Sequence, residues 1–216
     1  MSERFRQQVP RPASAVAARG SWRRSSVTWS EVVTHATRLA GAQQAPAAAG
    51  STLRAAVLVP LYAGPGGDPV VVLTRRSSGL ARDPGHVAFP GGLVEAGEQP
   101  LATALREAEE EIGLAPEAVT AVAPLGSYTR ALRHEQIEAY LGLLAGEPLL
   151  VPHEREVEAV LHVPLGELLA EGTSWSERWG ERTVYFFSEG EDLVWGMTAR
   201  VLWDLLSGLT GGAPPA

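Results

Sequence analysis

Four glutamates fall within five consecutive residues, and a helix would bring three of them, Glu107, Glu110 and Glu111, to one sector of its surface. Carboxylates four residues apart are helix neighbours, and each like-charged pair weakens the helix by about 0.2–0.5 kcal/mol. A divalent cation turns that repulsion into attraction, and hard oxygen ligands on neighbouring turns are what Mg²⁺ accepts. Arg106 lies four residues before Glu110 and can brace it from the side, while Glu109 points elsewhere, toward solvent. Upstream, Arg75, Arg76 and Arg82 stand within a loop's reach of these acids, and guanidinium forks suit phosphate oxygens. Together they have the composition a diphosphate site requires, because a cation alone leaves the outer phosphate oxygens unpaired. For Arg75 and Arg82, a solvated surface charge is an equally good reading.

The elements that must position these groups follow from the same stretch. Pro100 suits a first helical position and Gly113 the residue just past a helix end, so the pattern predicts a helix over 100–112. Leu101, Ala104, Leu105, Ala108 and Ile112 share its other face and would pack on a core. Before it, Leu53 to Tyr62 is apolar on both faces, as in a covered sheet, and pairs as a hairpin with Val70 to Thr74 across the turn 64–69. A short strand over Val87 to Phe89 delivers the chain to Pro90, Gly91 and Gly92, where glycines allow close approach to a phosphate or to the helix.

The spacing Gly92, five residues, Glu98, seven residues, then Arg106-Glu107-Ala108-Glu109-Glu110-Glu111-Ile112-Gly113-Leu114 resembles the Nudix box, the loop-helix-loop signature of the Nudix hydrolases. Ala108 stands where the pattern usually has a bulkier aliphatic residue. A solvated acidic helix would account for the charges but not for the paired glycines and the spaced Glu98. Leu73, Thr74, Arg76, Ser77, Gly85, Phe89, Pro90, Gly91 and Gly92 further resemble the motif that precedes the box in coenzyme A pyrophosphatases, and Val194 to Leu206 resembles their Trp-Gly-x-Thr-Ala-Arg ending. The chain departs from that motif at Ala81, with Arg82 one place late, at Asp83, where histidine is common, and at His86, where glutamine is common.

The resemblance covers roughly Leu53 to Leu206. It implies an α/β fold, the Nudix α/β/α sandwich with a mixed sheet between helices, and hydrolysis of a nucleoside diphosphate linked to another moiety. Glu107, Glu110 and Glu111 become the ligands of Mg²⁺ or Mn²⁺, and Glu107, Glu110 and Arg106 the catalytic groups. Arg76, Arg82, Gly91 and Gly92 become the substrate-binding residues. The leading substrate is coenzyme A or an acyl-coenzyme A, cleaved to 3′,5′-ADP and (acyl-)phosphopantetheine. ADP-ribose or an NADH-type dinucleotide and then a nucleoside triphosphate follow, and a nucleotide-binding regulatory domain without turnover is the alternative of another class.

Past the box, Val119 to Thr129 and Gln136 to Ala145 read as strands joined by a turn in which His134 and Glu135 could approach substrate or simply be exposed. Glu154, Glu156 and Glu158 precede a strand over Val157 to Val163 and a helix over Pro164 to Ala170. The family often recruits a later glutamate as ligand or base, with Glu156 favoured, and the base stays open between it and Glu110. A strand at Thr183 to Phe187 and a helix from Met197 to Leu206 close the domain. Trp195, Val201, Leu202 and Leu205 read as core, and Thr198 and Arg200 as residues that could reach a ligand or, for Arg200, form a structural ion pair.

The 216 residues suit one domain plus tails: a leader over 1–50, a domain over 51–210 and a tail over 211–216. With no cysteine, disulfides, thiolate metal sites and a cysteine nucleophile are excluded. Net charge is −7, unevenly spread: seven arginines against Glu3 and Glu31 leave residues 1–50 near +5 and the remainder near −12. A basic leader could touch nucleic acid or a membrane, but Pro, Ala, Ser and Gln dominate it and a loosely held tail with one helix over Ser30 to Gly41 explains it better. The linker Gly41 to Thr52 follows. No apolar run suits a signal segment or a membrane span, so the expectation is a cytoplasmic protein with a small nucleotide as partner and no nucleic acid or membrane, a homodimer being left open.

Overall fold

The computed structural model describes residue 9 and residues 11–19, 22–42, 53–130 and 135–212. The strands β2 (Leu53–Ala63), β3 (Pro69–Arg76), β4 (Val87–Ala88), β5 (Gly91–Leu93), β6 (Val119–Arg130), β7 (Glu135–Leu144) and β8 (Val157–Pro164) form one mixed sheet of seven. β2 runs parallel to β7 and antiparallel to β3 and β5, so the sheet is mixed as the resemblance implies. The hairpin pairs Leu61 with Val71 and Tyr62 with Val70.

The two-sided apolar character of β2 has a direct outcome. Ala56, Leu58 and Tyr62 face the helix α2 (Pro100–Ile112), whose Ala104, Ala108 and Ile112 bury completely against them. Val57, Val59 and Leu61 face the opposite layer, built from α1 (Trp29–Ala40), α3 (Leu165–Leu169) and α4 (Gly196–Thr210). Alternate side chains of one strand therefore hold helices on both faces, which makes the α/β/α sandwich.

A second sheet of four strands was not expected from the sequence. Its order is β1 (Val16–Arg19), β9 (Ser174–Trp179), β10 (Arg182–Glu189) and β11 (Asp192–Trp195), every pair antiparallel. Tyr185, Phe187 and Val194 on one face join the large core; Phe186 and Leu193 on the other are covered by Trp175, Trp179, Trp195 and Val9.

The leader requires correction. Its described part is built into the fold: β1 pairs with β9, Val27, Val32 and Ala36 belong to the large core, and Arg11 forms an ion pair with Glu177. The helix begins at Trp29, one residue earlier than expected, and its cap is Thr28. Thr28 and Glu31 make a reciprocal capping box, each side chain bonded to the other's backbone N–H. The boundary at residue 50 thus does not separate a loose tail from a domain. Most of the expected linker, His134 and the last residues of the tail lie outside the described residues. The final helix runs on past Leu206 to Thr210, ending at Gly211.

Candidate active site

The helix α2 occupies the span that Pro100 and Gly113 delimit; Gly113 takes the left-handed conformation, φ +68°, and its N–H bonds the Glu109 carbonyl at 2.9 Å. Its last carbonyls are taken up by the segment that follows β7, through Val151 N–H to Ile112 O at 2.9 Å and His153 N–H to Glu111 O at 2.8 Å. That return, with Ser77 N–H donating to the Glu156 carbonyl at 2.8 Å, carries Glu156 to the carboxylates of the helix and to the strand end that bears Arg76.

Gly91 and Gly92 form β5 against β2, between that strand and the helix. A Cβ on Gly91 would stand 2.3 Å from the Ala56 carbonyl oxygen, and one on Gly92 would stand 2.3 Å from Oε1 of Glu107. Both positions are therefore glycine because backbone and carboxylate come too close for any side chain. In this tight corner Glu111 is buried, and its Oε2 accepts one hydrogen bond, from Gly91 N–H at 3.2 Å; Arg76 approaches its other oxygen at 3.8 Å. Burial pushes the Glu111 carboxyl up to about 7 against the opposing pull of Gly91 N–H and Arg76, with the charges of Glu107 and Glu156 adding to the rise. Glu107 is raised as well, chiefly by burial and then by Glu110 and Glu156, with Arg106 opposing.

Arg106 gathers the remaining acids. Its Nε donates to Glu98 Oε1 at 3.0 Å, and its Nη1 lies 3.0 Å from both Glu107 Oε1 and Glu110 Oε2. Thr103 Oγ1 donates to Glu98 Oε2 at 2.6 Å, so the spaced Glu98 is a bracket between the loop and the helix. Glu110 differs from its two neighbours: its side chain is 60 % exposed and turned to Arg106.

Arg76, Arg82, Gly91 and Gly92 line one cleft of about 180 Å³, together with Glu135 and Thr198. Arg75 does not: it forms a two-pronged pair with Asp192, at 2.8 and 2.6 Å, and reaches Glu158 at 3.5 Å, a bridge between the two sheets. Arg200 pairs with Asp204 one turn along its own helix at 3.1 Å and lies over the Tyr185 ring, which makes it structural. Of the three later glutamates, Glu156 is the one whose charge acts on both Glu107 and Glu111.

The donor set suits a hard divalent cation. Glu107 and Glu111 share a corner in which the charge of Glu156 acts on both, Arg106 lies 3.0 Å from Glu107 and Arg76 3.8 Å from Glu111, and burial above all holds both carboxyls above the ordinary range. As they stand, no three acidic or histidine side chains among the described residues are grouped closely enough to grip an ion.

Sequence reasoning missed Trp179, Val184 and Arg182, which flank a neighbouring part of the cleft, and gave Trp195 to the core when it lines that cleft. No spacing signal distinguishes a ring inside a core from one at the edge of a cavity.

A mixed sheet between helices, with a glycine pair and a carboxylate-bearing helix at its end, defines the class, and the NUDIX domain family profile matches residues 52–183. The chain belongs to the NUDIX family and is a hydrolase, of a class that acts on nucleoside diphosphate-linked compounds. It is 36% identical over 160 residues to the uncharacterized Nudix hydrolase NudL of Pectobacterium atrosepticum, covering 70% of this chain and 80% of that protein. It is 38% identical over 160 residues to the chloroplastic Nudix hydrolase 22 of Arabidopsis thaliana, covering 69% of this chain and 53% of that one. Among solved structures, the MutT/nudix family protein of Enterococcus faecalis superposes with a TM-score of 0.54 at 20% identity over 82% of this chain and 67% of its own, a likeness of fold. Among the described residues no helix is long and apolar enough to cross a membrane.

Proposed function

We propose that this chain is a Mg²⁺- or Mn²⁺-dependent pyrophosphohydrolase whose leading substrate is coenzyme A or an acyl-coenzyme A, cut to 3′,5′-ADP and (acyl-)phosphopantetheine. The observation that carries the reading is the corner of Glu107, Glu111 and Glu156 beside Arg76, with more negative than positive charge, at the end of a cleft. Glu107, Glu110 and Glu111 would hold the cation, which when bound supplies neutralisation of the diphosphate and a more acidic attacking water. Arg76 and Arg82 bind the phosphate oxygens that remain, and the backbone at Gly91 and Gly92 lets the diphosphate lie close to the helix.

The attacking water gives its proton to a carboxylate, and Glu110 and Glu156, both exposed, are the two candidates to take it. Arg106 positions: by holding Glu98 and Glu110 it fixes the loop relative to the helix and keeps Glu107 turned inward. The substrate preference follows from the resemblance at Leu73 to Gly92 and Val194 to Leu206. Asp83, which lies 3.9 Å from Arg130, and His86 replace residues of that motif in the cleft wall and favour ADP-ribose or a dinucleotide as the second reading.

Purified chain with Mg²⁺ or Mn²⁺, offered coenzyme A, ADP-ribose, NADH and nucleoside triphosphates in turn, tests this. Release of 3′,5′-ADP from coenzyme A at the highest kcat/KM supports it. A preference for ADP-ribose moves the assignment to the second reading, and inertness toward all four favours a binding domain.

A further inference from the structure

The cleft continues beyond the carboxylates. Arg76, Asp83, Ala88, Arg130, Met197 and Thr198 line both the part over Gly91 and Gly92 and a second, larger part of about 360 Å³. The walls of this second part come from the small sheet: Trp179 from β9, Val184 from β10 and Trp195 from β11, with His86 from the loop before β4 facing them. The ring centroids of His86 and Trp195 are 5.3 Å apart and those of Trp179 and Trp195 are 6.4 Å apart. Phe186 and Leu193, on the same face of that sheet, are covered, whereas Trp179 and Trp195 are half-buried with ring surface left to the cleft. Trp179 is held by its edge, the indole N–H donating to Glu177 Oε2 at 2.9 Å, which leaves the ring faces uncommitted to hydrogen bonding. Val184 and Trp195 lie outside residues 52–183, the span the family profile matches, whereas His86 and Trp179 lie within it.

Resting on the hydrolase reading above, we propose that the tryptophan-walled arm binds the planar base of the substrate's nucleoside half. Three aromatic rings offer π surface, on which any base stacks; a flexible acyl or pantetheine chain needs only aliphatic walls. Arg182 stands exposed at the rim and makes no ion pair with any described residue, and a cation there suits the phosphorylated half of the molecule rather than a neutral chain. Arg76, shared by both parts of the cleft, is where the base-bearing arm meets the carboxylate corner, so a base in the arm leaves its diphosphate beside Glu107 and Glu111.

The test uses the full chain without metal, so that nothing turns over, and three probes: AMP, ribose 5-phosphate and pantetheine. Saturation-transfer NMR and tryptophan fluorescence give the binding. The expected result is saturable AMP binding with transfer to the adenine protons, no saturable binding of ribose 5-phosphate, and no displacement of AMP by pantetheine. Trp195→Leu, which keeps an apolar wall and removes the ring, should weaken AMP by about 10-fold, whereas Trp195→Phe should stay within about 2-fold. His86→Ala, a loop substitution, gives the same comparison should Trp195→Leu fail to fold. Equal binding of ribose 5-phosphate, displacement by pantetheine, or an unchanged AMP affinity in both ring-removing variants would overturn the assignment. The two readings separate cleanly: AMP binding through Trp195 in a protein that cleaves no diphosphate sinks the hydrolase reading alone, and coenzyme A cleavage with an unchanged KM in Trp195→Leu sinks the base site alone.

Discussion

Glu98 and Glu111 sit at opposite ends of one loop and helix, and their surroundings differ completely. Glu98 is saturated: Arg106, Thr103 and the N–H of Glu95 all bond its carboxylate, and Arg106 above all draws it down to about 2. Glu111 is buried with one backbone N–H and a distant guanidinium, and burial lifts it to about 7. The same residue type is a bracket at one end and a proposed binding group at the other. What separates them is the count of compensating partners, since a buried carboxylate short of partners is costly unless something else binds there.

The largest expected effect tests the Glu111 end. Glu111→Gln should reduce Mg²⁺-dependent hydrolysis by on the order of 100-fold or more, because it removes a proposed ligand and its charge. Its melting temperature at pH 8 should stay level or rise. The sign follows from linkage: with the folded carboxyl raised from 4.5 to about 7, the contribution of Glu111 to stability is full below pH 4.5 and lost as pH rises through 7. Metal-free protein should therefore lose stability across that window, and Glu111→Gln should flatten the loss. Calorimetry against pH reads both; wild-type activity in the variant would break the comparison at its root.

The glycine pair sharpens it next. In Gly92→Ala the new Cβ strikes the Glu107 carboxylate, the movable end of a side chain, so kcat/KM should fall about 10-fold or more with a modest change in melting temperature. In Gly91→Ala the new Cβ meets the Ala56 carbonyl oxygen and Val57 Cα, which are backbone of β2 and cannot yield, so stability should fall by about 2 kcal/mol or more. Measuring both variants by thermal melting and steady-state kinetics separates an effect on the carboxylate from one on the sheet.

This corner is legible in the sequence because it is local. Pro100, Gly113, Gly92 and Glu98 fix the loop and helix through backbone rules and spacing that act over a single turn or two, and β2 announced its two faces by being apolar on both. What the sequence hid is long-range. β9 reads Ser-Trp-Ser-Glu-Arg-Trp, and its inward positions are Ser174 and Ser176, so no apolar alternation marks it. Glu177 is buried, and its cationic partner, Arg11, comes from the far end of the chain. In the leader, Val32 and Ala36 showed an apolar stripe, but composition alone gave no sign that it closes the large core against α4. Arg75 and Arg76 are adjacent and identical, and only the pairing of strands decides that one meets Asp192 and the other the cleft.

A smaller effect tests the saturated end. Glu98→Gln should lower the melting temperature at neutral pH, and the deficit should shrink as pH falls. A carboxyl held near 2 contributes stability that is present above pH 4.5 and is lost as pH drops through 2, so wild type and variant should converge there. Activity should suffer through Arg106, whose hold on Glu110 and Glu107 loosens, and the loss should appear mainly in kcat. A variant with normal melting but no turnover would mean that Glu98 belongs with Glu111 rather than against it.

The smallest effect lies in the leader, where a third carboxylate, not among those lining the cleft, repeats the saturated pattern. Glu31 accepts from Thr28 N–H at 2.8 Å, from Thr28 Oγ1 at 2.9 Å and from Arg24 at 2.6 Å, and Arg24 first among these holds it near 2. If partner count alone separates structural from binding carboxylates, breaking this box should touch stability and nothing else. Thr28→Ala removes the cap of α1 and should lower stability by about 1 kcal/mol, as loss of a Ser or Thr cap does. Because α1 packs on α4 and β6 rather than on α2, kcat and KM should not move. A change in turnover at a temperature where the variant is fully folded would show that the leader is coupled to the carboxylate corner, and the division drawn between the two kinds of glutamate would then be too simple.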